Sequence, residues 1–348
     1  MTLKKILILS TDPRSGKGGI ATSVANCAAI LEKNSIPFEI IITHTPNTGR
    51  IQNSLIFLKA AFRVIFSAPQ ANVYFLHAGP KGSLIRKTIL AIIIKLKGGK
   101  AYTQYHSPAF LNYLERHGYW KLILLTLAKL SSKSLALNNY WKNIFETSLN
   151  QKFVVLPNPL PTSSAYNAIE RTPKADGPLN VICAARLIEE KNIQELIRLA
   201  EINKEILLKI IGGGCYEDTL RQLAKESEAS DRITFMGWLS NQEVKTELSK
   251  ADIFILPSKY DSFGMVYIEA LSEGIPVIAP SIPAVVDTLR DLKGVAFANS
   301  AIEINEAINQ VINTPTHEIK NSLKEKYGET SYIIKLREII VLPGTEPI

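Results

Sequence analysis

A chain of 348 residues, 46% of them hydrophobic, can fill two cores of ordinary domain size. Its three cysteines (Cys27, Cys183, Cys215) are scattered, without pairing or metal-ligand spacing, which points to a reducing compartment. No apolar run approaches the roughly 20 residues of a membrane span, and the first residues carry only a strand-length apolar run, too short for a secretory leader.

The charge is unevenly laid. Residues 1–160 hold 20 Lys and Arg against 5 Asp and Glu, whereas residues 161–348 hold 20 against 27. A first half this basic is expected to face something anionic, a membrane surface or a nucleic acid. The plain alternative is a solvated basic surface.

Along the first half, residues 4–10 read as a strand and residues 11–19 as a glycine-rich loop. Ile20, Val24, Ala28 and Leu31 then give helical spacing over 20–32. Strand, glycine loop and helix start make a phosphate cradle. Ser15-Gly-Lys-Gly-Gly19 is not a P-loop, because no Gly-Lys-Ser/Thr follows. Residues 38–43 are a second strand. Residues 51–66 are a helix with Lys59 and Arg63 on one stripe. Residues 72–76 are a buried strand ending at His77, and residues 101–105 one ending at His106. Between them, residues 84–96 form an apolar helix flanked by Arg86, Lys87, Lys95, Lys97 and Lys100. A further apolar helix spans 118–132, with Lys121, Lys129 and Lys133 on one stripe. Bulky apolar residues beside basic ones suit a membrane interface, or core helices with snorkelling lysines. Both histidines end strands where ligands bind in open α/β sheets, although a lone histidine is more often structural.

Residues 161–178, with Ser, Thr and Pro recurring, read as a linker where the charge balance changes. The strand-and-helix pattern then restarts. After a strand over 179–184, Arg186 offers a two-pronged donor and Lys191 a point charge, so together they can hold a diphosphate. The bland reading pairs them with Glu189 or Glu190. A strand over 207–211 ends in Gly212-Gly213-Gly214, which does not fit the dinucleotide fingerprint. Residues 253–256 form a short buried strand, 257–264 a loop, 265–273 a helix stopped by Gly274, and 277–279 the next strand. The loop carries Asp261, Ser262, Phe263 and Gly264. The amides of Gly264, Met265 and Val266 have no intrahelical partner, so they can meet a phosphate. Glu269, just over a turn further, can clamp a diol. This is chemistry for a phosphorylated sugar. With no Asp-x-Asp pair and no His/Cys cluster, no metal is expected. Helices are expected over 301–312, 319–327 and 331–340.

Asp261-Ser-Phe-Gly, Glu269-Ala, Glu273-Gly and Pro276-Val-Ile-Ala279, in that order and spacing, resemble the acidic-x7-Glu signature of retaining GT-B glycosyltransferases. That signature belongs to the glycosyl transferases group 1 family, and the chain resembles its bacterial surface-polysaccharide members. Asp261 stands where glutamate is usual, one methylene shorter. Gly18-Gly19, Phe153 to Pro159, the segment Ala185-Arg186 to Lys191-Asn192 (Ala185 replacing a glycine) and Gly237-Trp238 resemble further family features. The resemblance implies an α/β fold of two doubly wound Rossmann-like domains facing across a cleft. Residues 1–160 would be the acceptor side, 161–178 the linker, 179–325 the nucleotide-sugar domain, and 326–348 a helix and tail returning to the first domain. It implies a retaining, metal-independent transfer from a nucleotide sugar, the co-substrate, to a lipid-linked or saccharide acceptor. Arg186 and Lys191 would neutralise the diphosphate, and Asp261 and His106 would hold the sugar. Gly18, Gly19, Gly213, Gly237, Ser262, Phe263, Gly264, Met265, Val266 and Glu269 would line the donor. The expected location is cytoplasmic, on an anionic inner membrane face, with no nucleic acid bound. An epimerase of the same fold would need acid-base carboxylates that a first half with five acidic residues barely offers. A non-catalytic two-domain binding protein would usually carry a secretion signal.

Overall fold

The computed structural model describes residues 5–14, 18–46, 48–67, 72–116, 118–160 and 177–340. All but the last two residues of the expected linker lie outside these, as do Ser15, Gly16, Lys17 and the tail beyond 340. The chain divides into two compact units. One is Met1–Thr162 with Tyr327–Ile348, and the other is Ser163–Lys326.

The first unit alternates strand and helix: β1 (Lys5–Thr11), α1 (Gly19–Lys33), β2 (Phe38–His44), α2 (Arg50–Phe66), β3 (Asn72–Ala78), α3 (Gly82–Leu96), β4 (Lys100–Tyr105), α4 (Phe110–Glu115), α5 (Tyr119–Leu130), β5 (Lys133–Ala136), α6 (Asn139–Leu149) and β6 (Phe153–Val155). Its six strands pair in parallel in the order β2-β1-β3-β4-β5-β6. Ile6, Leu7, Ile8 and Leu9 are all buried, as expected of a strand covered on both faces.

The second unit repeats the plan: β7 (Leu179–Ala184), α7 (Gln194–Ile202), β8 (Ile206–Ile211), α8 (Glu217–Glu226), β9 (Ile233–Gly237), α9 (Asn241–Leu248), β10 (Ile253–Ile255), α10 (Met265–Ser272), β11 (Val277–Ala279), α11 (Pro283–Leu289), β12 (Val295–Phe297), α12 (Ala301–Val311) and α13 (Thr316–Tyr327). Its parallel sheet runs β12-β11-β10-β7-β8-β9. Renumbered from its own first strand, that is the doubly wound order 3-2-1-4-5-6, which reverses direction between β7 and β10. Both units are thus Rossmann-like.

The last helix, α14 (Glu329–Ile339), belongs to the first unit. Tyr332, Ile333, Leu336 and Ile339 join Ile6, Val24, Cys27 and Phe75 in one buried cluster. Each such apolar side chain contributes about 1.5–3 kcal/mol relative to exposure. Polar contacts fix the helix in place. The Tyr332 hydroxyl donates to Cys27 Sγ at 3.3 Å, and Lys33 pairs with Glu329 at 2.7 Å.

Candidate functional site

In the second unit the loops after β7 and β10 flank the point where the sheet order reverses, the place where doubly wound sheets bind ligands. These loops bring two of the expected residues together. Lys191 Nζ lies 2.8 Å from Asp261 Oδ2 and donates to Ser258 Oγ at 3.3 Å. Each partner of the ion pair is 19% exposed, so the pair is neither dry nor open. Backbone bonds tie the two loops: Lys259 N–H donates to Glu190 O at 2.7 Å. Asp261 also accepts its neighbour Ser262's N–H through Oδ1. Ser258, which the sequence did not single out, is buried beneath this bridge. Its only sequence signal was its place in the loop after an apolar strand. Arg186 stands exposed on the loop after β7, and among the described residues no ion pair joins it to Glu189 or Glu190.

Gly264 caps α10 in the left-handed region, with φ +77°. A Cβ there would lie 2.4 Å from the Tyr267 ring, whose hydroxyl donates to Leu256 O. Glycine therefore lets the loop turn sharply into the helix while Tyr267 pins the helix to β10. The first intrahelical bond runs from Tyr267 N–H to Gly264 O, leaving the amides of Gly264, Met265 and Val266 ahead of it. Phe263 and Met265 are buried and serve as packing, whereas Ser262 and Val266 are half-buried. Glu269, one turn into α10, has its pKa raised to about 7 by burial, against which Lys245 acts.

The glycine run after β8 allows close backbone approach. A Cβ on Gly212 would meet Ala185 O at 1.8 Å, and one on Gly214 would meet Leu187 O at 2.2 Å. One on Gly213 would meet Trp238 Nε1 at 2.6 Å, so the exposed indole rests on that glycine. Gly237, at φ +67°, turns the chain into Trp238. Gly213 and Gly237 thus shape the wall around the loop that carries Arg186.

In the first unit Gly18 (φ +140°) precedes α1, and Gly19 opens it. With Thr11, His44, Gly79, Ser83 and Arg86 among others, they line a pocket of about 480 Å3. His77 and His106 lie on adjacent strand ends and pair ring to ring, with His77 Nδ1 and His106 Nε2 2.9 Å apart. The expected sugar-holding His106 is only 6% exposed, and burial lowers its pKa to about 3, so the ring is neutral. The sequence placed both histidines at strand ends but gave no sign that they pair.

The basic helices divide differently from expectation. Lys87 does not flank an interfacial face: it is 1% exposed and donates to Thr43 Oγ1. Arg86 turns to the pocket, and Lys97 caps α2 by donating to Val64 O and Ser67 O. Residue 87 shares the helix face of the buried Leu84, Leu90, Ala91 and Ile94, which the charge count could not register. Beside the exposed Lys59, Arg63 and Lys95, much of what remains outside is apolar. Ile51, Leu55, Leu58 and Phe62 on α2, and Ile85, Ile89, Ile92 and Leu96 on α3, form two exposed stripes on neighbouring helices. Among the described residues no helix is long and apolar enough to cross a membrane, and no three His, Cys, Asp or Glu converge on a metal site.

The family model "Glycosyl transferases group 1" matches residues 166–331. An uncharacterized 41.2 kDa protein in the cps region of Klebsiella pneumoniae is 24% identical over 84% of this chain and 87% of its own length. A GDP-mannose-dependent monoacylated alpha-(1-6)-phosphatidylinositol monomannoside mannosyltransferase of Corynebacterium glutamicum is 29% identical over 39% of this chain and 38% of its own. In fold, the chain is similar to Anabaena HepE, solved with UDP and glucose: TM-score 0.70 at 15% identity, covering 97% of this chain and 99% of that one. Over residues 166–331 the chain matches the glycosyl transferases group 1 family, and its two Rossmann-like units are those of the GT-B fold.

Proposed function

We propose that this glycosyltransferase moves a hexose from a nucleoside-diphosphate sugar to a lipid-linked oligosaccharide or polysaccharide acceptor, with retention of anomeric configuration and without a metal ion. The observation that carries the reading is the Lys191–Asp261 bridge across the switch point of the second unit, with Arg186 beside it and Glu269 on the helix behind. A diphosphate arriving there would draw Lys191 and Arg186 onto its oxygens, helped by the amides ahead of α10. Asp261, released from Lys191, would turn to the sugar hydroxyls. Glu269 would hold the ribose diol. In a front-face displacement the acceptor oxygen bonds to the anomeric carbon on the face the diphosphate leaves, and its proton passes to the departing phosphate oxygen. No carboxylate is needed as a nucleophile. The relatives in a capsule region and in glycolipid synthesis support a surface-polysaccharide or glycolipid product.

The first unit would meet the acceptor at an anionic membrane surface on the cytoplasmic side. The paired apolar stripes of α2 and α3, with Lys59, Lys95, Lys121 and Lys129 on the same helices and on α5, support that placement.

A thermal-shift panel of nucleotide sugars tests the donor. A true donor at 100 times its dissociation constant should stabilise the protein by about 2.7 kcal/mol. Product anomer assignment by NMR then decides between retention and inversion. A panel in which none binds would overturn the reading.

A further inference from the structure

The first unit's sheet order also reverses, between β1 and β3, so a crevice opens at their carboxyl ends. The pocket of about 480 Å3 occupies that crevice. Its size falls within the roughly 300–1,000 Å3 of small-molecule sites. Both α1 and α3 begin at its wall. Each is 15 residues long, lacks a side-chain cap and has no acidic residue in its first turn. Two sets of helix-start amides therefore face the same space.

The charge around it has one sign. Among the described residues, Arg86 and His44 line the pocket and no Asp or Glu does. Behind Thr43 in the wall lies the buried Lys87 ammonium, 2.5 Å from the Thr43 hydroxyl. Among the described residues no ion pair joins Arg86 or Lys87 to a carboxylate. Asp12, just beyond β1, turns back to accept the Arg14 amide. Arg86 Nε is buried with no hydrogen-bond partner among the described residues. A buried cation without a counter-ion is costly. The cost registers in the pKa values. Desolvation lowers Arg86, Lys87 and His44 alike, and nearby cations lower Lys87 and His44 further.

We propose that this pocket seats a phosphoryl group of the acceptor, held by Arg86, His44 and the amides that open α1 and α3, with Lys87 as the buried charge behind it. Donors converging from a guanidinium and two helix starts suit a tetrahedral group with several oxygens better than a planar carboxylate. Assigning the phosphoryl group to the acceptor rests on the glycosyltransferase reading, whereas the anion site rests on the pocket alone. The group can belong to a lipid-linked diphosphate or to a soluble sugar phosphate.

The test is calorimetric titration of the full chain with inorganic pyrophosphate, the donor site first saturated with the nucleoside diphosphate that binds best. One pyrophosphate site should remain. Arg86→Gln should weaken it by about tenfold or more, the loss of a charged hydrogen-bonding partner, while nucleotide affinity is unchanged. His44→Asn, at a half-buried side chain, should weaken it too and serves if Arg86→Gln fails to fold. No site in the nucleotide-bound protein, or equal pyrophosphate affinity in both variants, overturns the proposal and leaves the donor reading standing. Competition names the source: a short-chain prenyl diphosphate in micelles against a hexose 1-phosphate in buffer. Displacement by either supports an acceptor phosphoryl group, and displacement by neither overturns it.

Discussion

Lys191 and Asp261 come from loops 70 positions apart, yet their side chains meet at 2.8 Å. If the diphosphate takes Lys191 from Asp261, removing either cation leaves the leaving group under-neutralised. Lys191→Ala or Arg186→Ala should each cut transfer by about a hundredfold or more, since each removes charge stabilisation from the transition state. Steady-state rates near wild type in both would place the donor elsewhere. Glu269 gives a second prediction through its pKa of about 7, against an ordinary 4.5. The folded protein holds that proton more tightly than the unfolded chain. The group's contribution to stability therefore declines as pH rises above 4.5 and levels off above about 7. A ribose diol, in contrast, needs the ionised carboxylate as its acceptor. Donor affinity should rise between pH 6 and pH 8, and Glu269→Gln should flatten that rise and stabilise the protein above pH 7. Titrations showing the same pH slope in both proteins would remove Glu269 from the ribose. His106, with a pKa of about 3, should contribute no slope in this range.

At the scale of elements, the sequence is most informative where apolar spacing is long and glycine or proline bounds it. The helices expected over 51–66 and 84–96 appear as Arg50–Phe66 and Gly82–Leu96, and that expected over 265–273 as Met265–Ser272. Short polar elements escaped. α8 and α9 have few apolar residues to set a period, though Ser240 and Glu243 form a capping box that marks where α9 begins. α4, β5 and α6 hide between stronger signals. The second unit's site was legible because each half of it is compact in sequence, Arg186 to Lys191 after one strand and Asp261 to Glu269 after another. The first unit's pocket was not, because Thr43 and His44 come from the end of β2, Gly79 from the loop after β3 and Arg86 from α3, and only the sheet order brings them together. The glycine run after β8 carried a meaning that spacing alone could not show, which is backbone-to-backbone approach. Gly212→Ala forces a Cβ to within 1.8 Å of Ala185 O, so it should destabilise the protein by about 2 kcal/mol or more and displace the Arg186 loop. Gly237→Ala meets nothing within 4 Å and should cost only the left-handed backbone penalty, about 1–2 kcal/mol. Urea denaturation of the two variants checks the order, and equal midpoints would contradict it.

For the whole molecule, charge and apolar surface lie together on the first unit, with Leu96 83% and Ile51 81% exposed. Each basic residue near an anionic surface contributes about 1 kcal/mol, and the attraction fades as the Debye length shrinks to about 3 Å at 1 M salt. The protein should sediment with anionic vesicles and not with neutral ones. Replacing Lys59, Lys95, Lys121 and Lys129 by Glu should release it while nucleotide still binds. A gel shift with arbitrary RNA at physiological salt and no vesicle preference would reverse that assignment. The returning helix α14 has a consequence for the order in which the molecule can be made. The second unit is one continuous stretch, but the first unit's core is filled by residues translated after the whole of the second unit. At about 5–20 residues per second, roughly ten to thirty-five seconds separate the first unit's last strand from the helix that completes it. During that interval a basic, apolar half-domain waits on the ribosome while its younger neighbour can already close. A chain stopped after Lys326 should therefore bind ANS and aggregate, whereas residues 163–326 alone should melt cooperatively. A truncated chain with the wild-type melting temperature would show that the nascent first unit needs no such wait.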